Sequence, residues 1–151
     1  MAKKSGTTGK VGGFQITEDN TKEILKLLDT YIERGLTIVG IKAEKYAKAL
    51  CPVGTPESTG KKGYRGGTLR NSITFEAEND TVVIGSNVEY APYVELGTGP
   101  HFTPPPEWEK FDVPGGGGAG SGYVYPRPFL RPAITDHLSE YKDILEKELK
   151  D

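Results

Sequence analysis

The sequence has a single cysteine, Cys51, which excludes an intrachain disulfide and any zinc site built from several thiolates. Its two histidines, His101 and His137, are isolated and add little to a case for a metal. No window approaches the 18 uninterrupted apolar residues of a membrane span, so no membrane partner is expected. Residues 1–13 carry lysines with no apolar run after them, so they do not read as a secretory signal. Neither sign of charge dominates. Nineteen basic residues face 21 acidic ones, a formal net charge of −2, which excludes a globally basic nucleic-acid binder. The chain is 151 residues, the size of one ordinary domain, and at 35% apolar it is not a charge-rich disordered chain.

Glycine and proline are plentiful, and they are clustered. Of 20 glycines and 11 prolines, seven lie in 51–67 and fifteen in 97–128, including Pro104-Pro105-Pro106 and Gly115-Gly116-Gly117-Gly118. Tetraglycine frees φ, whereas a proline triplet favours a stiff extended rod. The pattern predicts a flexible N-terminal arm, 1–19, then one domain, 20–151, with loop excursions at 51–67 and 98–128. Long irregular segments in a small domain are usually functional or disordered.

Ile24, Leu28, Tyr31, Ile32, Leu36, Val39, Ala43, Tyr46, Ala47 and Leu50 recur at steps of three and four, which predicts a long helix over 20–50. Asn20 and Glu23 have capping-box spacing, Pro52 ends the helix, and Gly35 and Gly40 are positions for a kink. Residues 68–86 predict a hairpin: Leu69 and Ile73 start the first strand, Glu78-Asn79-Asp80 turns, and Thr81–Ile84 returns. A short helix follows over 88–96, with Pro92 in its first turn and Gly97 as its cap. Tyr123-Val124-Tyr125 has strand character. A last helix is predicted over 132–150, with Pro132 at its first position and a stripe of Ile134, Leu138, Tyr141, Leu145 and Leu149. The fold class is therefore α+β with an antiparallel sheet. Two strands alone are marginal, so further segments or a neighbouring chain are expected to extend it.

Catalytic patterns are weak. Gly54 to Lys62 resembles a phosphate loop but has one residue too many between its glycines, Lys62 at the Ser/Thr position and no preceding strand. No G-x-S-x-G elbow occurs. Cys51 could pair with His101 or His137, but a small buried residue at a helix end is the plainer role. Glu107, Glu109 and Asp112 near His101 match no cation loop and read as a solvated face. Trp108 and Phe111 sit among them as anchors for a partner or for their own domain. Lys61, Lys62, Arg65 and Arg70 cluster in the first excursion and could meet phosphate, or simply keep the loop soluble. Residues 1–70 carry a balance of +6 and residues 71–151 a balance of −8. Such asymmetry favours head-to-tail contact between copies, and those contacts close into rings when the rotation allows.

Three stretches stand out in order: Cys51-Pro52-Val53 followed by Thr68-Leu69-Arg70-Asn71-Ser72-Ile73; Tyr90-Ala91-Pro92-Tyr93-Val94-Glu95-Leu96-Gly97-Thr98-Gly99; and Pro126-Arg127-Pro128-Phe129-Leu130-Arg131-Pro132-Ala133-Ile134. After a long helix, this set resembles the head–tail joining or tail-completion proteins of long-tailed bacteriophages, also called minor tail or morphogenesis proteins, over about residues 20–150. The resemblance implies a tail-terminator-like fold and a virion structural protein made in the bacterial cytoplasm. It implies a ring, commonly of six copies, between a connector or head-completion protein and a tail-tube or tail-terminator protein. Double-stranded DNA would pass through the ring without sequence-specific binding. It implies no catalysis, no metal and no cofactor. A tail terminator or tail-tube-associated protein is the neighbouring role, and a small nucleic-acid-binding module the reading of a different class.

The family-motif and interface candidates are Pro52, Val53, Leu69, Arg70, Ser72, Tyr90, Tyr93, Val94, Glu95, Gly97, Thr98, Arg127, Pro128, Phe129, Leu130 and Pro132. Lys61, Lys62, Arg65, Trp108 and Phe111 are the loop candidates. Arg70 is expected to hold the first strand by a charge-assisted bond. Glu95 lies at the unfavourable end of its helix and is expected to meet a cation, Arg127 or Arg70. Phe129 and Leu130 are expected to point inward. The family pattern runs from Pro-Val through Asp-Thr-Gly to Leu-Arg. Here Gly54 stands at the acidic position and residues 56–67 look inserted.

Overall fold

The computed structural model describes residues 9–11, 14–16, 19–63, 65–98 and 125–150. Strands β1 (Gly9–Val11) and β2 (Phe14–Ile16) pair antiparallel within the predicted arm. Helix α1 (Thr21–Leu50) follows. At 1.5 Å per residue its 30 residues span about 45 Å. After it come α2 (Pro56–Thr59), α3 (Thr68–Ser72), the hairpin β3 (Ile73–Glu78) and β4 (Thr81–Ser86), α4 (Ala91–Leu96), α5 (Leu130–Thr135) and α6 (Leu138–Lys150). The class is α+β, as the sequence predicts. Among the described residues the two sheets have two strands each and nothing extends either.

The long helix runs unbroken through Gly35 and Gly40, so neither is a kink. Close approach explains both. A Cβ on Gly40 would lie 2.1 Å from Cδ2 of Phe75, on β3, and one on Gly35 would lie 2.9 Å from Leu145, on α6. Gly35, Val39, Gly40, Ala43 and Ala47 form a narrow buried stripe on which β3 and α6 lie. Asn20 makes no side-chain cap; Asp19 accepts from the backbone N–H of Thr21 instead. Cys51 then turns extended, as the following proline requires.

Residues 68–72 form a turn of helix, so the strand starts at Ile73 and Leu69 precedes it. Leu69 is still buried, because one helical turn places it beside Ile73 in the core. The hairpin turn is the pair Asn79-Asp80 alone, with φ of 49° and 60°. Two consecutive left-handed residues are the signature of the type I′ turn, whose twist matches paired strands. The first excursion is not wholly irregular: Thr55 and Ser58 cap α2 reciprocally. The predicted last helix is two. It starts at Leu130, two residues before Pro132, and breaks at Asp136-His137. Tyr141 bridges the break by donating to the carbonyl of Ala133 at 2.6 Å.

Two clusters make the core. Ala47, Cys51, Leu69, Ile73, Ala91, Phe129 and Ala133 form one, with Phe129 and Ile73 fully enclosed. Val39, Ala43 and Tyr141 form the other. The N-terminal third of α1 reaches beyond both. Every residue from Thr21 to Thr30 is exposed, Ile24, Leu25, Leu27 and Leu28 included.

Candidate functional site

The three sequence stretches meet around Phe129. From the first come Cys51 and Leu69, from the second Ala91 with half-buried Val94, and from the third Phe129, Ala133 and half-buried Leu130. Backbone bonds tie them further, since the N–H of Arg127 donates to the carbonyl of Val94 at 2.8 Å.

Glu95 makes the central junction. Its Oε2 accepts from the backbone N–H of Phe129 at 2.7 Å and of Leu130 at 3.0 Å, and its Oε1 from that of Arg131 at 3.0 Å. The first four N–H groups of a helix have no partner within it. For α5 these belong to Phe129, Leu130, Arg131 and Pro132, and proline has none. One carboxylate therefore satisfies the whole helix start, where the dipole favours an anion. This corrects the expectation of a cationic partner. Glu95 meets main-chain amides, not Arg127 or Arg70. Arg70 is exposed, and none of the ion pairs among the described residues includes it, so it does not hold the strand as expected. Ser72 takes that role. Its hydroxyl lies 2.6 Å from that of Ser86 and donates to the Leu69 carbonyl, linking α3 to β4.

The other candidates lie around this junction. Pro52, Val53, Leu69, Tyr90, Val94 and Arg127 line an open cleft of about 350 Å³. Val53, Tyr90 and Tyr93 are exposed on it or beside it. Gly97 is buried at φ 79°, a conformation side chains rarely adopt, and caps α4. Thr98 and Pro132 are half-buried, Arg127 and Pro128 exposed. Lys61, Lys62 and Arg65 are exposed on the excursion that borders the cleft. Trp108 and Phe111 lie outside the described residues, as do His101, Glu107, Glu109, Asp112, Tyr123 and Val124. Tyr125 is exposed and outside any strand.

Two features had no clear sequence signal. Glu140 accepts from Lys42 and, at 2.7 Å, from the Tyr46 hydroxyl, while His137 stacks on the Tyr46 ring with centroids 3.6 Å apart. These bonds hold the Glu140 carboxyl below its ordinary range and raise Lys42 and Tyr46 above theirs. This network locks α6 to α1. No hydrogen bond joins Cys51 to His137, and burial pushes the Cys51 thiol up, away from the reactive thiolate. The second feature is an open cleft of about 560 Å³ between α1 and the hairpin tip, lined by Asp29, Glu33, Glu78 and Asp80. Among the described residues no His, Cys, Asp or Glu group is arranged to hold a metal.

A family model described as "Bacteriophage HK97-gp10, putative tail-component" matches residues 16–97, more than half of the chain. The chain belongs to this HK97-gp10-like family of bacteriophage tail components. The matched region takes in the first stretch and the second as far as Gly97, and stops before the third. No curated protein and no solved structure matches the chain. Among the described residues no helix is long and apolar enough to cross a membrane.

Proposed function

We propose that the chain is a ring-forming subunit of the phage neck, joining the portal-side connector to the tail tube around the DNA channel. Membership of a tail-component family supports a role in the virion. The observation that carries the reading further is the protruding end of α1. Ile24, Leu25, Leu27 and Leu28 lie on three helical turns that no other described residue covers. Contiguous exposed apolar surface of this kind marks an interaction site. The work of such a subunit is geometric: neighbours seal against one another and match one ring to the next. Hexameric stoichiometry and the connector and tail-tube partners belong to the same proposal.

The test is to locate the protein in assembled particles. A labelled copy should appear at the head–tail junction, and particles lacking the chain should accumulate as separate filled heads and finished tails. Label at the distal tail tip, or normally joined particles without the chain, would contradict the reading.

A further inference from the structure

The inference rests on the ring reading and concerns how copies meet. The acidic cleft at the hairpin tip gathers Asp29, Glu33, Glu78 and Asp80. All four are exposed, and none takes part in an ion pair among the described residues. Apolar Ile24, Leu25 and Leu28 lie next to them, on the first turns of α1. At the other end of the same helix the excursion presents Lys61, Lys62 and Arg65, likewise exposed and unpaired. Exposed Val53 and Tyr90 accompany them on the neighbouring cleft.

Each end thus combines apolar side chains with unpaired charge; the excursion is basic, and at the other end Asp29, Glu33, Glu78 and Asp80 outnumber Lys22 and Lys26 of the helix tip. From Asp29 to Cys51 the helix rises about 33 Å, several Debye lengths at physiological salt. The ends of one molecule cannot satisfy each other. We infer that the α1 tip and acidic cleft of one subunit dock on the basic excursion of the next copy of this chain. Two different patches on one molecule make a heterologous contact, which propagates in one direction and closes into a ring when the rotation allows. Charge complementarity fixes the register and speeds the encounter, and the apolar side chains beside it are what becomes buried.

Charge reversal tests the pairing. One protein carries Asp29→Lys and Glu33→Lys, the other Lys61→Glu and Lys62→Glu. All four positions are exposed, so each variant should unfold as the parent does. Each alone should self-associate roughly tenfold more weakly or worse, since like charges then face each other. Mixed in equal amounts they should co-assemble in alternation, because the reversed tip of one meets the reversed excursion of the other and the two native faces meet each other. A parent that assembles while both variants assemble equally well overturns this interface and leaves the ring reading standing. So does loss of assembly that mixing does not restore. So does reversal at Lys61 and Lys62 that abolishes binding to a DNA duplex while assembly is intact. A parent that stays monomeric at every concentration removes the ring reading itself.

Discussion

Replacing Glu95 is the sharpest local perturbation. Its carboxylate is half-buried and accepts three main-chain N–H groups at the start of α5, one of them from the enclosed Phe129. Hydrogen bonds to charged groups contribute about 1.5–3 kcal/mol each when taken singly, and loss of a helix cap costs about 0.5–2 kcal/mol. The three share one acceptor group and are not additive, so Glu95→Ala should cost about 3 kcal/mol. Glu95→Gln keeps one oxygen, enough for the two bonds now made by Oε2. It loses the charge and turns an amide toward the N–H of Arg131, so about 1–2 kcal/mol is expected. Urea unfolding followed by circular dichroism reads both values, with an unchanged slope showing that the same surface is exposed. Arg70→Ala and Arg127→Ala should each stay within about 0.5 kcal/mol of the parent, as exposed surface changes usually do. Their effects should add to that of Glu95→Ala, because neither pairs with it. A Glu95→Ala protein as stable as the parent, or strong coupling to either arginine, would refute the capping argument.

Phe129→Ala should destabilise by about 3–5 kcal/mol, since the ring is fully enclosed where the three stretches meet, and thermal unfolding checks it. Gly40→Ala gains about 1 kcal/mol of helix propensity but drives a methyl into the Phe75 ring. It should be destabilising by about 1–3 kcal/mol overall, and Phe75→Leu should relieve most of that in a double-mutant cycle. Lys42 and Tyr46 lower the folded-state value of Glu140 below its ordinary 4.5. The stability this contributes is therefore complete above about pH 4.5 and lost as pH falls through the folded value. Glu140→Gln should flatten that acidic limb in a series of unfolding curves. A limb of unchanged steepness would show that other carboxylates cause it.

Much of the fold was legible because periodicity reports burial. The apolar steps of α1, the β-branched return strand and the proline at the end of α1 each impose a local constraint that no tertiary contact reverses. Boundaries failed where a distant group decided them. Nothing near Pro132 shows that a carboxylate 36 residues upstream of Arg131 completes the helix start, so local sequence points to the proline and not to Leu130. Gly35 and Gly40 suggested kinks because their reason, the approach of Leu145 and Phe75, is invisible along the chain. The inward direction of Phe129 was readable. The division of Tyr90, Tyr93 and Val94 between exposed and half-buried positions was not, because it depends on which side of α4 meets the Phe129 core. The charge asymmetry was visible as a difference between sequence halves. Only the helix length turned it into two separated ends.

The measurement that bears most directly on assembly by contact is the sedimentation mass of the purified chain across concentration, at low and at high salt. A closed species of fixed size that loses subunits as salt rises is expected from charge-matched ends. A monomer of 16.4 kDa under every condition would contradict it.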